Sequence, residues 1–84
     1  MKKSIYTILD EKAQTIGPLF VAISDDEAER VVSSAAVEHS IMSRYPADFA
    51  LMRLGDIDLS NGTLTPHPVP VLVRKLDEVL QPAA

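Results

Sequence analysis

The chain has 84 residues, a formal net charge of −4 and no cysteine. These numbers exclude a second domain, a disulfide or thiolate-metal scaffold, and the Lys/Arg excess on which strong nonspecific phosphate binding rests. Hydrophobic residues make up 46% of the chain, with two Phe, two Tyr and no Trp. The apolar content is therefore mostly Ala, Val, Ile and Leu, more aliphatic surface than one thin core hides easily, and a homo-oligomer, most simply a dimer, is expected to bury the excess.

Lys2 and Lys3 precede an apolar stretch that Asp10, Glu11 and Lys12 interrupt. That is too short and too charged for a secretory signal, and no run approaches the roughly 20 apolar residues of a membrane span. A cytoplasmic protein is the expectation.

Ser4 to Leu9 alternates, with Ile5, Thr7 and Leu9 on one side and Tyr6 and Ile8 on the other, and is rich in β-branched residues. It reads as a strand. Asp10 to Gln14 is polar and turn-like, Gly17-Pro18 punctuates, and Leu19 to Ile23 is an apolar run of strand length. An antiparallel hairpin with a loop of about ten residues is the simplest pairing.

Ser24 and Glu27 form the pattern of a capping box, and Asp25, Asp26, Glu27 and Glu29 load the first turns with charge that the helix dipole favours. Ala28, Val31, Val32, Ala35, His39 and Met42 recur at helical spacing, and Pro46 ends the pattern. The prediction is one amphipathic helix over residues 25–44. The acidic cluster reads as helix-terminal charge rather than a metal site, because successive carboxylates on a helix diverge.

Phe49 to Ile57 is the next strand, with Gly55 as a candidate bulge. Asn61-Gly62 signals a two-residue type I′ hairpin turn, which sets Ser60 opposite Thr63 and Leu59 opposite Leu64. Pro66, Pro68 and Pro70 lack backbone donors and place the returning segment at a sheet edge or off the sheet. Val71 to Leu80 fits a short helix opened by Pro70, with a final strand as the competing reading. Residues 81–84 read as a frayed tail. The expected fold is α+β: a small antiparallel sheet in ββαββ order, one long amphipathic helix on one face, and a short C-terminal helix.

Catalytic chemistry finds no support. Glu38 adjoins His39 but points elsewhere on a helix, His67 sits between prolines without ligand partners, and Ser33 and Ser34 have no adjacent base. Asp56 and Asp58 share a strand face but lack the glutamate that completes a calcium loop. The three isolated glycines form no phosphate-binding motif. The chain reads as a non-enzyme with no cofactor. For single-stranded nucleic acid, aromatic rings beside cations are needed. The candidates are Tyr6 with Lys2 and Lys3, Tyr45 with Arg44 and Arg53, and the adjacent pair Arg74 and Lys75.

Three blocks carry a resemblance: Ser4 to Ala13, Tyr45 to Gly55, and Asn61 to Pro66. In this order and spacing, and together with Leu19 to Ala22, they resemble the small nonstructural proteins of gokushovirus-type microviruses, phages with single-stranded DNA genomes. Leu19-Phe20-Val21-Ala22 departs mildly from that family's Pro-Phe-x-Ala, and Leu54 stands where Ile is common. The resemblance implies a small non-enzymatic factor in the cytoplasm of the infected bacterium, assigned to genome replication or packaging. It carries over no functional residues. Two readings follow: an accessory that binds single-stranded DNA itself or through a partner, and a self-associating module that targets a phage or host protein. Cations clustered on one face favour the first; an uncovered aliphatic patch with scattered cations favours the second.

Overall fold

The computed structural model describes residues 1–38 and 40–80. In chain order these form β1 (Lys2–Asp10), β2 (Thr15–Ile16), β3 (Phe20–Ala22), α1 (Asp25–Glu38), α2 (Ser40–Arg44), a 3₁₀ turn (Pro46–Asp48), β4 (Phe49–Asp58), β5 (Leu64–Lys75) and α3 (Leu76–Val79). The five strands make one antiparallel sheet in the order β2-β1-β4-β5, with β3 also pairing β1.

The N-terminal hairpin forms, but Asp10 pairs Thr15, so its turn is the four residues Glu11 to Gln14 rather than a loop of about ten, and its returning arm is split. Residues 20–22 pair Tyr6 to Ser4, whereas Thr15 and Ile16 pair Asp10 and Leu9. Gly17 and Pro18 bridge the gap, and the wholly buried Thr7 hydroxyl donates to the Gly17 carbonyl at 2.9 Å. The Gly17 N–H donates to the Ile8 carbonyl at 2.9 Å, so the interrupted ladder keeps its polar groups satisfied. The two-residue strand is too short to leave a periodic signal.

The helix begins at its predicted cap. Ser24 Oγ accepts from the Glu27 N–H at 3.2 Å, and the Glu27 carboxylate accepts from the Ile23 N–H at 2.7 Å, one residue further back than a standard box. Of the single helix expected over 25–44, the structure describes the 14-residue α1 and the five-residue α2, on either side of residue 39. The observed order differs from the expected ββαββ in having three strands, not two, ahead of α1, and a helical turn, α3, closes the described residues after β5. The expectations for His39 and for the tail 81–84 lie outside the described residues.

Two corrections concern the C-terminal half. The β4–β5 turn is not the two-residue turn that Asn61-Gly62 suggests. Ile57 pairs Leu64, and the Asp58 N–H donates to Thr63 O, which leaves Leu59 to Gly62 as a four-residue turn. The Asp58 side chain accepts from the Ser60 N–H at 2.9 Å and hydroxyl at 2.6 Å, and Gly62, at φ 80°, supplies the left-handed residue. The second correction is residues 71–75, which continue the strand. The β-branched Val71 and its neighbour Leu72 pair Arg53 and Met52, and helix is confined to Leu76–Val79. The three prolines sit on an edge strand as expected, and residues 67–70 arch out of the ladder opposite the single residue Leu54. Leu54 is also the extra residue in the β1–β4 ladder, next to Gly55.

The helices cover one face of the sheet. Ala28, Val32 and Ala36 of α1, Met42 of α2 and Leu76 of α3 join Tyr6, Phe49 and Leu51 in one core. The small side chains of α1 let it lie close to the sheet. The opposite face carries Ile5, Thr7 and Leu9 of β1, Ala50, Met52 and Ile57 of β4, and their partners Val21, Leu64 and Leu72.

Candidate functional site

Tyr6, Asp25 and Arg53 form the most connected polar cluster on the helix-covered face. The Tyr6 hydroxyl donates to Asp25 Oδ1 at 2.7 Å, and Arg53 Nη1 donates to Asp25 Oδ1 at 3.0 Å and Oδ2 at 3.2 Å. Tyr6 lies on β1, Arg53 is its register partner on β4, and Asp25 opens α1. The cluster thus ties two strands to the helix N-terminus, where a carboxylate is electrostatically welcome. Burial, then the hydrogen bond to Asp25, pushes the Tyr6 phenol pKa up. Each member answers another member, so the cluster anchors the fold.

This corrects the expectation for Tyr6. Its ring is wholly buried and stacks on Phe20 with centroids 5.7 Å apart, so no face is left for a nucleic-acid base. The alternation that marks Ser4 to Leu9 as a strand does not say which side the helix will cover.

The cations do not converge. Arg53 is bound to Asp25, Arg74 pairs with Glu29 of α1 at 3.7 Å, and Lys75 pairs with Glu11. Lys2 and Lys3, consecutive on β1, point to opposite faces. Lys2 lines a small polar cleft with Asp56, Asp58, Asn61, Thr63 and Thr65, whereas Lys3 stands at one end of the open face. Arg44 ends α2 and Tyr45 follows it, half exposed, beyond the far end of α1, a helix about 21 Å long that opens at Asp25. Structure therefore brings Tyr6 and Arg53 together, but around a carboxylate, and separates the other candidates.

Two apolar surfaces remain. One is a groove of about 590 Å³ between the Gly17–Phe20 segment and the helices, lined by Ile16, Leu19, Val31, Ala35, Ile41 and Phe49 among others. The other is the open sheet face, where Leu64 is 60% and Leu72 54% exposed. Sequence reasoning names neither as a site. Its signal was present in β1, where Ile5, Thr7 and Leu9 share one side and Tyr6 and Ile8 the other, so that both sides carry apolar residues. Among the described residues, no group of three or more His, Cys, Asp or Glu is placed to hold a metal ion. No helix among them is long and apolar enough to cross a membrane.

No curated protein and no solved structure matches the chain significantly. The family model described as Phage ORF5 protein matches residues 3–79, from the first strand through the C-terminal helical turn. The match spans almost all of the described fold, and the chain belongs to the Phage ORF5 protein family.

Proposed function

We propose that this phage protein is a non-enzymatic accessory factor that works through protein contacts: it self-associates and engages a phage or host protein inside the infected bacterium. The observation that carries this reading is the aliphatic sheet face left open beside cations that are dispersed and, at Arg53, Arg74 and Lys75, paired with carboxylates. Phosphate binding needs several uncompensated cations along one track, and an overall charge of −4 opposes it at long range. The likeness to gokushovirus nonstructural proteins supports a role in genome replication or packaging, reached in this reading through a protein partner rather than through direct contact with single-stranded DNA.

The test pairs two measurements on the purified chain. Titration against single- and double-stranded DNA at low and physiological salt is expected to show no binding, while sedimentation shows a species larger than a monomer at micromolar concentration. Binding to single-stranded DNA that weakens steeply with salt, by a monomer, overturns the proposal in favour of direct DNA contact through Lys2, Lys3, Arg44 and Tyr45.

A further inference from the structure

We infer that the open sheet face is the interface of a two-fold dimer of this chain, with β1 lying antiparallel across β1 of its copy about an axis along the row Thr7, Met52 and Leu72. The inference rests on the self-association proposed above and assigns it a surface and a symmetry.

The first argument is polarity. Beyond the reach of α1, the helix side of the sheet is polar: Lys2, Ser4, Asp56, Asp58, Thr63 and Thr65 stand there, and Ser4 Oγ donates to Asp56 Oδ1 at 3.0 Å. In the same half, the open face carries Ile5, Ile57 and Leu64. An antiparallel sheet with one solvated side places its apolar residues on the buried side. Here the alternation designates the open face as the buried one; Thr7, held by the Gly17 and Pro18 carbonyls, and Ala50 are already buried there, while Val21, Leu64 and Leu72 stay exposed and no helix covers them.

The second argument is size. β1, β4 and β5 are nine or more residues long, and the fourth column is the short β2 and β3, so at about 4.8 Å between strands and about 3.3 Å per residue the face is at most about 19 by 30 Å. With side-chain relief, that approaches the roughly 800 Å² per partner of a standard stable interface. A second copy supplies an equal, flat and equally apolar face, and two such sheets pack about 10 Å apart with strands within about 30° of alignment.

The third argument is charge, and it selects the axis. Lys3 stands at one end of the face. At the other end, Lys75 lies in the fields of Glu11, Asp77 and Asp48, and Lys12 is in the adjoining turn, so carboxylates outnumber cations. The axis along Thr7, Met52 and Leu72, which are register partners, reverses each strand over its own copy. Position 3 then lies over position 11, and each Lys3 approaches the partner's acidic end. A two-fold running along the strands stacks like ends instead, which electrostatic complementarity disfavours.

The experiment follows sedimentation equilibrium of the full chain, with circular dichroism as the folding control. Leu72 is exposed in the single chain, so Leu72→Glu should leave the spectrum unchanged and convert the dimer to monomer. Lys3→Glu should weaken dimerisation about tenfold, an effect that salt reduces. The chain has no native cysteine, so a Leu72→Cys variant, whose two copies lie on the axis, should be joined by a short bis-maleimide in high yield. A wild type that stays monomeric overturns both the self-association and this interface. A dimer that survives Leu72→Glu and resists cross-linking keeps self-association and overturns the interface. Disruption by Leu72→Glu without an effect of Lys3→Glu or a cross-link overturns the axis.

Discussion

Two glycines separate backbone strain from steric conflict at the residue scale. Gly62 has φ 80° and nothing within 4 Å of where a Cβ would stand, so substitution there meets only conformational strain. Gly62→Val should cost about 1–3 kcal/mol, about 4–8 °C in melting temperature for each kcal/mol in a domain of this size, and Gly62→Asn less. An unchanged melting temperature for the valine variant would refute this turn geometry. Gly55 has the opposite problem: a Cβ would lie 2.5 Å from the Thr65 carbonyl oxygen and 2.7 Å from the Pro66 Cα. Both are backbone atoms, so β5 must move, and Gly55→Ala should destabilise more than Gly62→Ala in the same melts. Tyr6 offers a pH test. Its phenol pKa is raised by burial and by the Asp25 hydrogen bond, so the folded state holds the proton more tightly than the unfolded one. Its contribution is fully present below pH about 10 and is lost as pH rises through the folded value. Tyr6→Phe should lower stability by about 1–2 kcal/mol at neutral pH and flatten the alkaline loss; an unaltered alkaline slope would count against the Tyr6–Asp25 bond.

At the scale of elements, α3 is held by burial rather than by helical propensity. Four residues cannot sustain an isolated helix, yet Leu76 is wholly buried against the core that Phe49 and Leu51 line. Leu76→Ala should therefore cost about 2–5 kcal/mol in chemical denaturation, and a loss well under 1 kcal/mol would show that α3 is ornamental. The same element shows where sequence reading reaches its limit. β1, β3, the Ser24 cap and the bulge at Gly55 were legible because each rests on local rules: alternation, a side chain answering a nearby N–H, a missing Cβ. Residues 71–75 were not, because Leu72, Val73 and Leu76 satisfy helical spacing while pairing with Met52 and Arg53 decides for strand. The turn failed for a related reason. Asn61-Gly62 favours positive φ at both residues, but Asp58 captures the Ser60 N–H and hydroxyl and moves the turn forward, so that only Gly62 takes it. Pairing shifts by two residues, which preserves the faces, and Leu64 therefore still lies on the side that its alternation indicates. Of the candidate site, the dispersal of charge was legible in sequence. The burial of Tyr6 and the ion pairs of Arg53 and Arg74 were not, because their carboxylate partners lie 19 or more positions away.

On the scale of the whole molecule, one layer of helices on a single sheet leaves a chain of this length with half its sheet surface unused. Its largest buried side chains are Tyr6, Leu51, Leu76, Val32 and Thr7, and four of these lie on the helix side or in the helices; the open face adds only Thr7. A dimer would turn that face into a second core and couple folding to association. Its stability would then depend on concentration: each tenfold rise adds about 1.4 kcal/mol per dimer, or about 3–5 °C for an unfolding unit of twice this length. The Leu72→Glu variant should melt at the same temperature at every concentration, matching the wild type only when the latter is dilute enough to dissociate. Since both forms keep the Tyr6–Asp25–Arg53 anchor, the difference between their melting curves isolates the contribution of the open face. A wild-type melting temperature that does not move across a hundredfold range of concentration would mean that the helix-side core alone sustains the fold, and that the apolar face is covered by a partner of another kind.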